Sequence, residues 1–204
     1  MKDVECIIIG KTNVGKTLFA INFAEYLGCK VIKVTSIYPD GRQIENSFTI
    51  REAILQLTNE KPHKTRCLNK IAVTIPVGKK KKHVMILDST GIIDGIHPES
   101  NVRKAISQTL AKIRECKIIL HMIDVSNVIN RGLVNSLGEV DYQIANFAQM
   151  RTGYVMLANK IDIPGSETGL NKLREEFPAN LILPISALYK RGFKEVKDFV
   201  IRNI

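Results

Sequence analysis

Two glycines, a lysine and a threonine between positions 10 and 17 fit the pattern G-x-x-x-x-G-K-[ST] without a gap. Gly10 and Gly15 allow the backbone to wrap a phosphate, so that consecutive N–H groups and a helix N-terminus point at its oxygens. The ammonium group of Lys16 adds a positive charge for the outer phosphates, and the hydroxyl of Thr17 is a hard oxygen ligand that suits Mg2+. The spacing therefore predicts a binding site for a nucleoside phosphate with its magnesium ion.

The elements on either side of this loop have the form that such a site requires. Val4 to Ile9 is an apolar run that predicts a buried strand, and Leu18 to Leu27 carries apolar residues at helical spacing. Strand, glycine loop and helix in this order distinguish the motif from an ordinary glycine-containing turn. A chance match to the pattern alone has a probability on the order of one per cent in a chain of this length.

Strand-like and helical runs alternate along the rest of the chain. Ile71 to Val77 and His83 to Leu87 predict a hairpin around Gly78 to Lys82, and amphipathic helices alternate with apolar strands after Pro98. Apolar strands between amphipathic helices are typical of a mostly parallel sheet that is covered on both faces. We therefore predict a three-layer α/β fold with a mostly parallel central sheet, helices on both faces and one antiparallel hairpin strand. In such a sheet, ligands bind beyond the C-terminal ends of the strands.

The first of three further motifs, Asp88-Ser89-Thr90-Gly91, directly follows the predicted strand that ends at Leu87. A carboxylate at Asp88 can hold Mg2+ through water, and the N–H of Gly91 can donate to the terminal phosphate. Taken alone, a D-x-x-G pattern is common and carries little weight. Its position at a strand end, downstream of a phosphate loop, makes it part of the same predicted site.

The other two motifs have the chemistry of a guanine site. Asp162, which ends the motif Asn159-Lys160-Ile161-Asp162, can accept hydrogen bonds from the ring N–H and the exocyclic amine of guanine. Adenine does not match that pattern. The Lys160 stem can lie over the base, and Asn159 can tie this loop to the phosphate loop. Ser186-Ala187-Leu188 can offer a backbone N–H to the guanine carbonyl oxygen; by itself it is better explained as a solvated turn, but the order of all these motifs makes chance implausible.

With these four motifs, the chain resembles the translation-factor class of small P-loop GTPases, and within it the Era/TrmE-type group. The resemblance runs from Val4 to the last helix and implies a three-layer P-loop NTPase G domain over residues 1–204, standing alone, that binds GTP or GDP with Mg2+. The nucleotide contacts that it implies are Gly10, Asn13, Val14, Gly15, Lys16, Thr17, Asp88, Gly91, Asn159, Lys160, Asp162, Ser186, Ala187 and Leu188.

Two features favour the Era/TrmE-type group in particular. Pro62 to Arg66, followed by the predicted hairpin, resembles the first switch of that group, in which a threonine and then an arginine precede the strand. In relatives that use K+, an asparagine at the position of Asn13 is a ligand of that ion. The resemblance implies the catalytic set Lys16, Thr65 and Gly91 and the magnesium ligands Thr17, Thr65 and Asp88.

The residue after Gly91 departs from the Ras-like pattern. Ras-like enzymes place a glutamine there to orient the attacking water, whereas this chain has Ile92, which cannot form that hydrogen bond. Catalysis would then depend on K+, on an acidic residue such as Asp94 or Glu99, or on a partner. The two carboxylates are also explained, and more simply, as solvated loop residues. We therefore expect slow hydrolysis without K+ or a partner.

The first switch region is considerably longer than the family needs. The additional residues lie at about 37–61, and Thr49-Ile50-Arg51-Glu52 among them has the form of a helical capping box. Apolar residues at helical spacing follow, which predicts a short helix before the switch threonine. This insertion is either a partner-binding or nucleotide-sensing element or a surface decoration with its own small apolar contact.

The chain is strongly basic, with a formal net charge of +10. Such a charge favours a polyanionic partner, and RNA or a ribosomal particle is the leading candidate. Lys79 to Lys82 concentrate positive charge at the predicted hairpin tip, although such a run is as often a solubilising loop that prevents edge pairing. Because the chain ends soon after Gly192, we expect no RNA-binding module after the G domain.

Composition and termini indicate a cytoplasmic protein. Hydrophobic residues make up 45% and charged residues 25% of the chain, which is the balance of a soluble globular domain. No apolar run has the length of a transmembrane helix, and the N-terminus lacks the features of a secretory signal. The four cysteines are scattered, without the spacing of a metal site or a redox motif, so we expect reduced thiols.

Two functions are compatible with these observations. The first is a molecular switch that hydrolyses GTP and acts on RNA or ribosomal particles. The second is a GTP/GDP-dependent interaction module with negligible hydrolysis that controls a protein partner. Both functions are compatible with a nucleotide-dependent dimer. The motif Asn159 to Asp162 argues against a third function, that of an ATP-using P-loop kinase.

Overall fold

The computed structural model of the protein describes residues 4–58, 67–95, 97–126 and 137–204. The strands in these ranges are β1 (Val4–Ile9), β2 (Val31–Ile37), β3 (Gln43–Thr49), β4 (Leu68–Val77), β5 (Lys80–Asp88), β6 (Ile118–Asp124), β7 (Tyr154–Asn159) and β8 (Ile182–Pro184). The helices are α1 (Lys16–Tyr26), α2 (Ile50–Leu57), α3 (Ser100–Glu115), α4 (Glu139–Ala148), α5 (Ser166–Glu176) and α6 (Phe193–Arg202).

The described strands form one sheet in the order β3-β2-β4-β5-β1-β6-β7-β8. The five strands from β5 to β8 in this order pair in parallel, and β4 pairs antiparallel with β5 to form the expected hairpin. Ile8 lies opposite Asp88, and Asp124 lies opposite Asn159, so that the carboxyl ends of neighbouring strands meet at one edge. The predicted mostly parallel α/β architecture is confirmed.

Helices cover both faces of the sheet because the central strands are apolar on both sides. In β1, Cys6 and Ile8 pack into one hydrophobic cluster, and Ile7 and Ile9 pack into the other, as the two-residue period of a strand requires. The first cluster includes buried residues of α1, α2 and α6, and the second includes buried residues of α3, α4 and α5. The sheet thus lies between two helical layers, which hold its strand ends in fixed positions.

The segment after α1 contains more strand than the sequence indicated. The sequence predicted only a short extended piece at Val31–Val34, whereas β2 continues to Ile37 and pairs antiparallel with β3 along its whole length. A turn joins the two strands, and in it the Asp40 carboxylate accepts a hydrogen bond from the backbone N–H of Arg42 at 3.0 Å. Because β3 is an edge strand and almost entirely exposed, it carries no apolar alternation from which it could have been predicted.

The helix predicted within this long segment is present as α2. The N–H of Glu52 donates to the Thr49 hydroxyl at 3.3 Å, and the N–H of Thr49 donates to the Glu52 carboxylate at 2.8 Å, which completes the capping box. Ala53 is fully buried, and Ile50 and Ile54 pack against the core on the side of α1. The helix is therefore attached to the body of the domain by an apolar face.

The lysine run differs in detail from the prediction of a loop at the hairpin tip. Lys80 begins β5 and lies opposite Val77, so that only Gly78 and Lys79 form the turn. Lys79 to Lys81 are exposed, and Lys82 is half-buried. Most of the positive charge consequently lies along a strand rather than in a loop.

None of the helices in the described ranges is both long and apolar enough to span a bilayer. All four cysteines carry free thiols.

Candidate nucleotide-binding site

The glycine loop runs from the end of β1 to the start of α1 and has close backbone contacts on both sides. Gly10 has a φ of +140°, and a Cβ on it would lie 2.2 Å from the carbonyl oxygen of Met122 in β6. Gly15 has a φ of +100°, and a Cβ on it would lie 2.5 Å from the side-chain nitrogen of Asn159 in β7. Only glycine fits both positions, because each combines a left-handed backbone with a neighbour in contact.

Lys16 is the first residue of α1, and its side chain turns back over the loop. Its Nζ donates to the carbonyl oxygens of Gly10 at 3.0 Å and Lys11 at 2.6 Å, and the residue is only 6% exposed. Burial lowers the pKa of Lys16 to about 8, although the nearby Asp88 carboxylate opposes that shift. A buried cation held by loop carbonyls can attract a phosphate strongly, since little water screens the charge.

Asp88 ends β5 beside α1, and its two carboxylate oxygens have different surroundings. Oδ2 accepts hydrogen bonds from the Thr17 hydroxyl at 2.8 Å and from the Asn69 side chain at 3.4 Å. Oδ1 is buried and has no hydrogen-bond partner among the described residues. Burial raises the pKa of Asp88, and the positive charge of Lys16 is the main opposing influence.

The surroundings of Asp88 fit a hard cation. A buried carboxylate oxygen without a partner is costly, and a hydroxyl beside it provides a second oxygen ligand of the kind that Mg2+ takes. Asn69 was not identified from the sequence. It lies opposite Asp88 in the β4–β5 register, and its Oδ1 accepts a hydrogen bond from the Ser36 hydroxyl of β2 at 2.8 Å. This contact depends on strand pairing, so the local sequence carried no signal for it.

The segment after β5 lies directly against the glycine loop. A Cβ on Gly91 would lie 2.5 Å from the Thr12 side chain, and the N–H of Ile92 donates to the Gly10 carbonyl at 3.1 Å. Ile92 is only 2% exposed and packs into the second hydrophobic cluster. Its side chain therefore packs in the core and presents no polar group to the loop.

Asp94 is an exposed loop carboxylate, as the simpler expectation had it, and it also has a partner at each oxygen. Its Oδ2 lies 3.1 Å from Nζ of Lys11, and its Oδ1 accepts a hydrogen bond from the N–H of Val140 in the first turn of α4 at 3.2 Å. Glu99, the other acidic residue considered, is exposed and immediately precedes α3. Neither carboxylate lies free beside the glycine loop.

Asn159 joins three loops at the other side of the site. Its side-chain nitrogen donates to the carbonyl of Val14 at 2.7 Å, and its side-chain oxygen accepts a hydrogen bond from the N–H of Ala187 at 2.9 Å. The carbonyl of Ala187 accepts in turn from the side chain of Asn22 in α1 at 2.8 Å. Asn22 is buried, and no motif in the sequence distinguishes it from the other residues of its helix.

The remaining residues of the two base motifs lie around Asn159. Lys160 has a φ of +69° and an ion pair of 2.5 Å with Asp124 at the end of β6, while Asp162 is half-buried. Ser186 is fully buried, and its hydroxyl accepts a hydrogen bond from the N–H of Tyr189 at 3.1 Å. Leu188 is 57% exposed.

Asn13 and Thr65 are the predicted ligands of K+ and of Mg2+ for which the structure shows no side-chain hydrogen bond within the described residues. Asn13 is exposed in the glycine loop and has a left-handed φ of +61°. Thr65, the predicted second magnesium ligand, lies outside the described residues, so its role stays a prediction. The structure gathers all the other predicted residues at the carboxyl edge of the sheet.

This arrangement of sheet, glycine loop and strand-end motifs is the fold of the P-loop GTPases. The chain belongs to the family described as 50S ribosome-binding GTPase, whose model matches residues 44–160. That span covers more than half of the 204 residues. It contains Asp88 to Gly91 and ends at Lys160.

Among curated proteins, the chain is similar to GTPase Obg. The protein from Akkermansia muciniphila is 28% identical over 119 residues, which make up 57% of this chain and 33% of the relative. The protein from Ruminiclostridium cellulolyticum is 29% identical over 119 residues, which make up 56% of this chain and 27% of the relative. The chain therefore spans a third or less of the length of either relative.

Among solved structures, the chain is similar to Era. An Era variant from Aquifex aeolicus bound to GDP and AlF4− has a TM-score of 0.69 and 21% identity, covering 100% of this chain and 57% of that chain. Era in complex with MgGDPNP and nucleotides 1506–1542 of 16S ribosomal RNA has a TM-score of 0.66 and the same identity and coverage. The translation-type GTPase class is thus established, with a fold like that of Era and sequence relatives among the Obg proteins.

Proposed function

We propose that the protein binds GTP and GDP with Mg2+ at the carboxyl edge of its sheet and hydrolyses GTP as a molecular switch. The observation that carries this proposal is the pair of Asn159 hydrogen bonds to Val14 and Ala187. They connect the phosphate loop and both base motifs at one place. Turns without a common ligand would not be expected to hydrogen-bond to the same buried side-chain amide.

The described contacts suggest a role for each part of this site. Lys16 and the N–H groups of the loop bind the outer phosphates, and Gly91 donates to the terminal phosphate. Thr17 and Asp88 hold Mg2+, with Thr65 as the proposed third contributor; the ion, when bound, neutralises charge on the phosphates. The residues that recognise the base all lie in the second half of the chain and are Asn159, Lys160, Asp162, Ser186, Ala187 and Leu188.

Competition between nucleotides tests the assignment. Fluorescent GDP bound to the purified protein should be displaced by GTP and GDP, whereas ATP should displace it only at far higher concentration. If ATP competes as well as GTP, the guanine assignment is wrong. The second candidate function is an interaction module with negligible turnover, and the burial of Ile92 in the core favours it. A hydrolysis assay on the same protein distinguishes this module from a GTPase.

We propose further that the enzyme is of the Era/TrmE type and that K+ stimulates its hydrolysis. Asn13 offers an amide oxygen, a donor that K+ accepts, from an exposed position in the loop. The ion would supply the positive charge between the outer phosphates that an arginine supplies in other GTPases. Turnover should therefore rise when Na+ is replaced by K+ at constant ionic strength.

Two substitutions of Asn13 make this measurement specific. Asn13→Ala should abolish the difference between the two salts while leaving GDP binding largely intact. Asn13→Gly is the matched variant, because glycine tolerates the φ of +61° and removes only the side chain. Identical turnover of the unmodified protein in both salts would contradict the potassium mechanism and favour a group supplied by a partner.

RNA or a ribosomal particle is the proposed partner, and Lys79 to Lys82 are its proposed contact. Replacing these four lysines with neutral residues should weaken RNA binding and flatten its salt dependence, since fewer counterions are released. GTP affinity should barely change, because Lys80 lies eight positions before Asp88 in the extended strand β5, about 26 Å away. A fragment matching the 16S segment bound to Era is a suitable probe, with binding measured across a salt series.

A second variant controls for net charge. It neutralises four exposed lysines elsewhere on the molecule, namely Lys30, Lys104, Lys117 and Lys194. This control should retain more RNA affinity than the hairpin variant, because its charges are scattered. Equal losses in the two variants, or no loss in either, would leave the hairpin lysines with only a solubilising role.

We propose the cytoplasm as the place of action, since GTP and ribosomes are found there. We also propose that residues 1–204 act as one GTP-binding domain and that residues 37–61 are an insertion in the first switch region. A nucleotide-dependent dimer is compatible with this function.

A further inference from the structure

Lys160 is held by a carboxylate that belongs to none of the nucleotide motifs. Its Nζ lies 2.5 Å from Oδ2 of Asp124, whose side chain is only 3% exposed. Asp124 is the last residue of β6 and lies opposite Asn159, the last residue of β7. The ion pair therefore connects two neighbouring strand ends at the edge of the site.

The carboxylate of Asp124 is itself fixed in orientation. Its Oδ1 accepts hydrogen bonds from the N–H of Ser126 at 3.0 Å and from the hydroxyl of Ser126 at 2.6 Å. One oxygen is thereby held by the chain that follows β6, and the other is directed to the lysine. Because the carboxylate is already oriented, pairing with Lys160 orders only the lysine side chain, whereas a pair between two mobile surface side chains must order both.

We infer that Asp124 is a positioning residue for guanine-nucleotide binding, which it promotes by holding the Lys160 side chain extended before the base arrives. The inference rests on the proposed function. A lysine has several rotatable bonds, and ordering it during binding reduces affinity, whereas a side chain ordered in the free protein avoids that cost. The Lys160 backbone, at a φ of +69°, fixes one end of the stem, and Asp124 fixes the other.

A purely structural role for Asp124 makes a different prediction. If Asp124 only supported the end of β6 through its hydrogen bonds from Ser126, its loss would lower the stability of the fold and would affect nucleotide binding equally with or without Lys160. If Asp124 acts through Lys160, its loss should affect binding only while the lysine is present. A double-mutant cycle separates these cases.

The cycle uses the unmodified protein, Asp124→Asn, Lys160→Met and the double variant, each titrated with fluorescent GDP in the presence of Mg2+. Asp124→Asn should weaken GDP binding about tenfold in the unmodified background, the scale expected for ordering one long side chain. In the Lys160→Met background the same change should weaken binding less than twofold. Equal loss in both backgrounds, or no loss in the unmodified background, would overturn the inference.

Two further variants guard against misfolding. Ser126→Ala keeps both charges and the bond from its backbone N–H but removes the hydroxyl bond to Oδ1, so it should weaken GDP binding in the same direction by a smaller factor. Glu5→Gln removes another carboxylate with lysine partners, at the opposite end of the sheet, and should leave GDP affinity unchanged. If Lys160→Met does not fold, unchanged affinity in Ser126→Ala overturns the inference. If the unmodified protein binds no guanine nucleotide, the proposed function itself fails.

Discussion

Replacing Lys16 by alanine is expected to lower the affinity for both GTP and GDP about a hundredfold, since a hydrogen bond to a charged group contributes about 1.5–3 kcal/mol. The effect should be large because this ammonium group is buried among loop carbonyls, where little water would screen its charge from a phosphate bound by the loop. Titration with fluorescent GDP measures it. Lys11→Ala is the matched control, because that lysine of the same loop turns toward Asp94.

Thr17→Ala tests the magnesium half of the same loop. Since the Thr17 hydroxyl lies 2.8 Å from Asp88, its loss should weaken the magnesium-dependent triphosphate state more than the GDP state. Unchanged nucleotide affinity in both Lys16→Ala and Thr17→Ala would mean that the loop only mimics the motif.

The pH dependence of GDP binding gives an independent measure of Lys16. Its pKa in the free protein is lowered to about 8, whereas a bound phosphate favours the charged lysine, so binding is accompanied by proton uptake above that pH. Affinity should be constant below about pH 7 and should fall as the pH rises through 8. The residual affinity of Lys16→Ala should lack this fall, provided that the ionisation of GDP itself is corrected for.

Asp162→Asn is expected to reverse base preference. The amide presents an N–H where the guanine amine needs an acceptor, and such an unsatisfied pair costs about 1–3 kcal/mol, up to about a hundredfold in affinity. Xanthine has a carbonyl oxygen at that position, so XDP should bind the variant better than GDP does. Competition of the two diphosphates against fluorescent XDP measures the reversal.

The control for this substitution is Asp198→Asn, which makes the same change of charge on the exposed face of α6. It should leave the preference for GDP intact. An Asp162→Asn variant that still prefers GDP would place Asp162 outside the base pocket.

The parts of the site that could be predicted from sequence are those whose chemistry is local. The path from β1 through Gly10 and Lys16 into α1 needs only neighbouring residues, and so does the capping box that starts α2. Motifs that follow apolar strands could be placed on one edge, because parallel strands bring their carboxyl ends together. These expectations agree with the structure.

The partners of the motif residues could not be predicted, because they depend on strand register and packing. Asn69 reaches Asp88 only through the β4–β5 pairing, and Asp124 reaches Lys160 only because β6 ends opposite β7. Asp94 illustrates the same limit, since its two contacts come from the glycine loop and from α4. The exposed strand β3 could not be predicted, because its residues are almost all exposed and its sequence therefore lacks the alternation of apolar and polar residues.

The hydrogen bonds from Ser36 through Asn69 to Asp88 have a thermodynamic consequence for the outer strands. They connect β2, and the edge strand paired with it, to the carboxylate proposed to hold Mg2+. A ligand that binds only the folded site stabilises every group whose position that site requires, and such linkage is reciprocal. Opening of the β2–β3 edge and release of the ion would therefore share one free-energy balance, in which each makes the other easier.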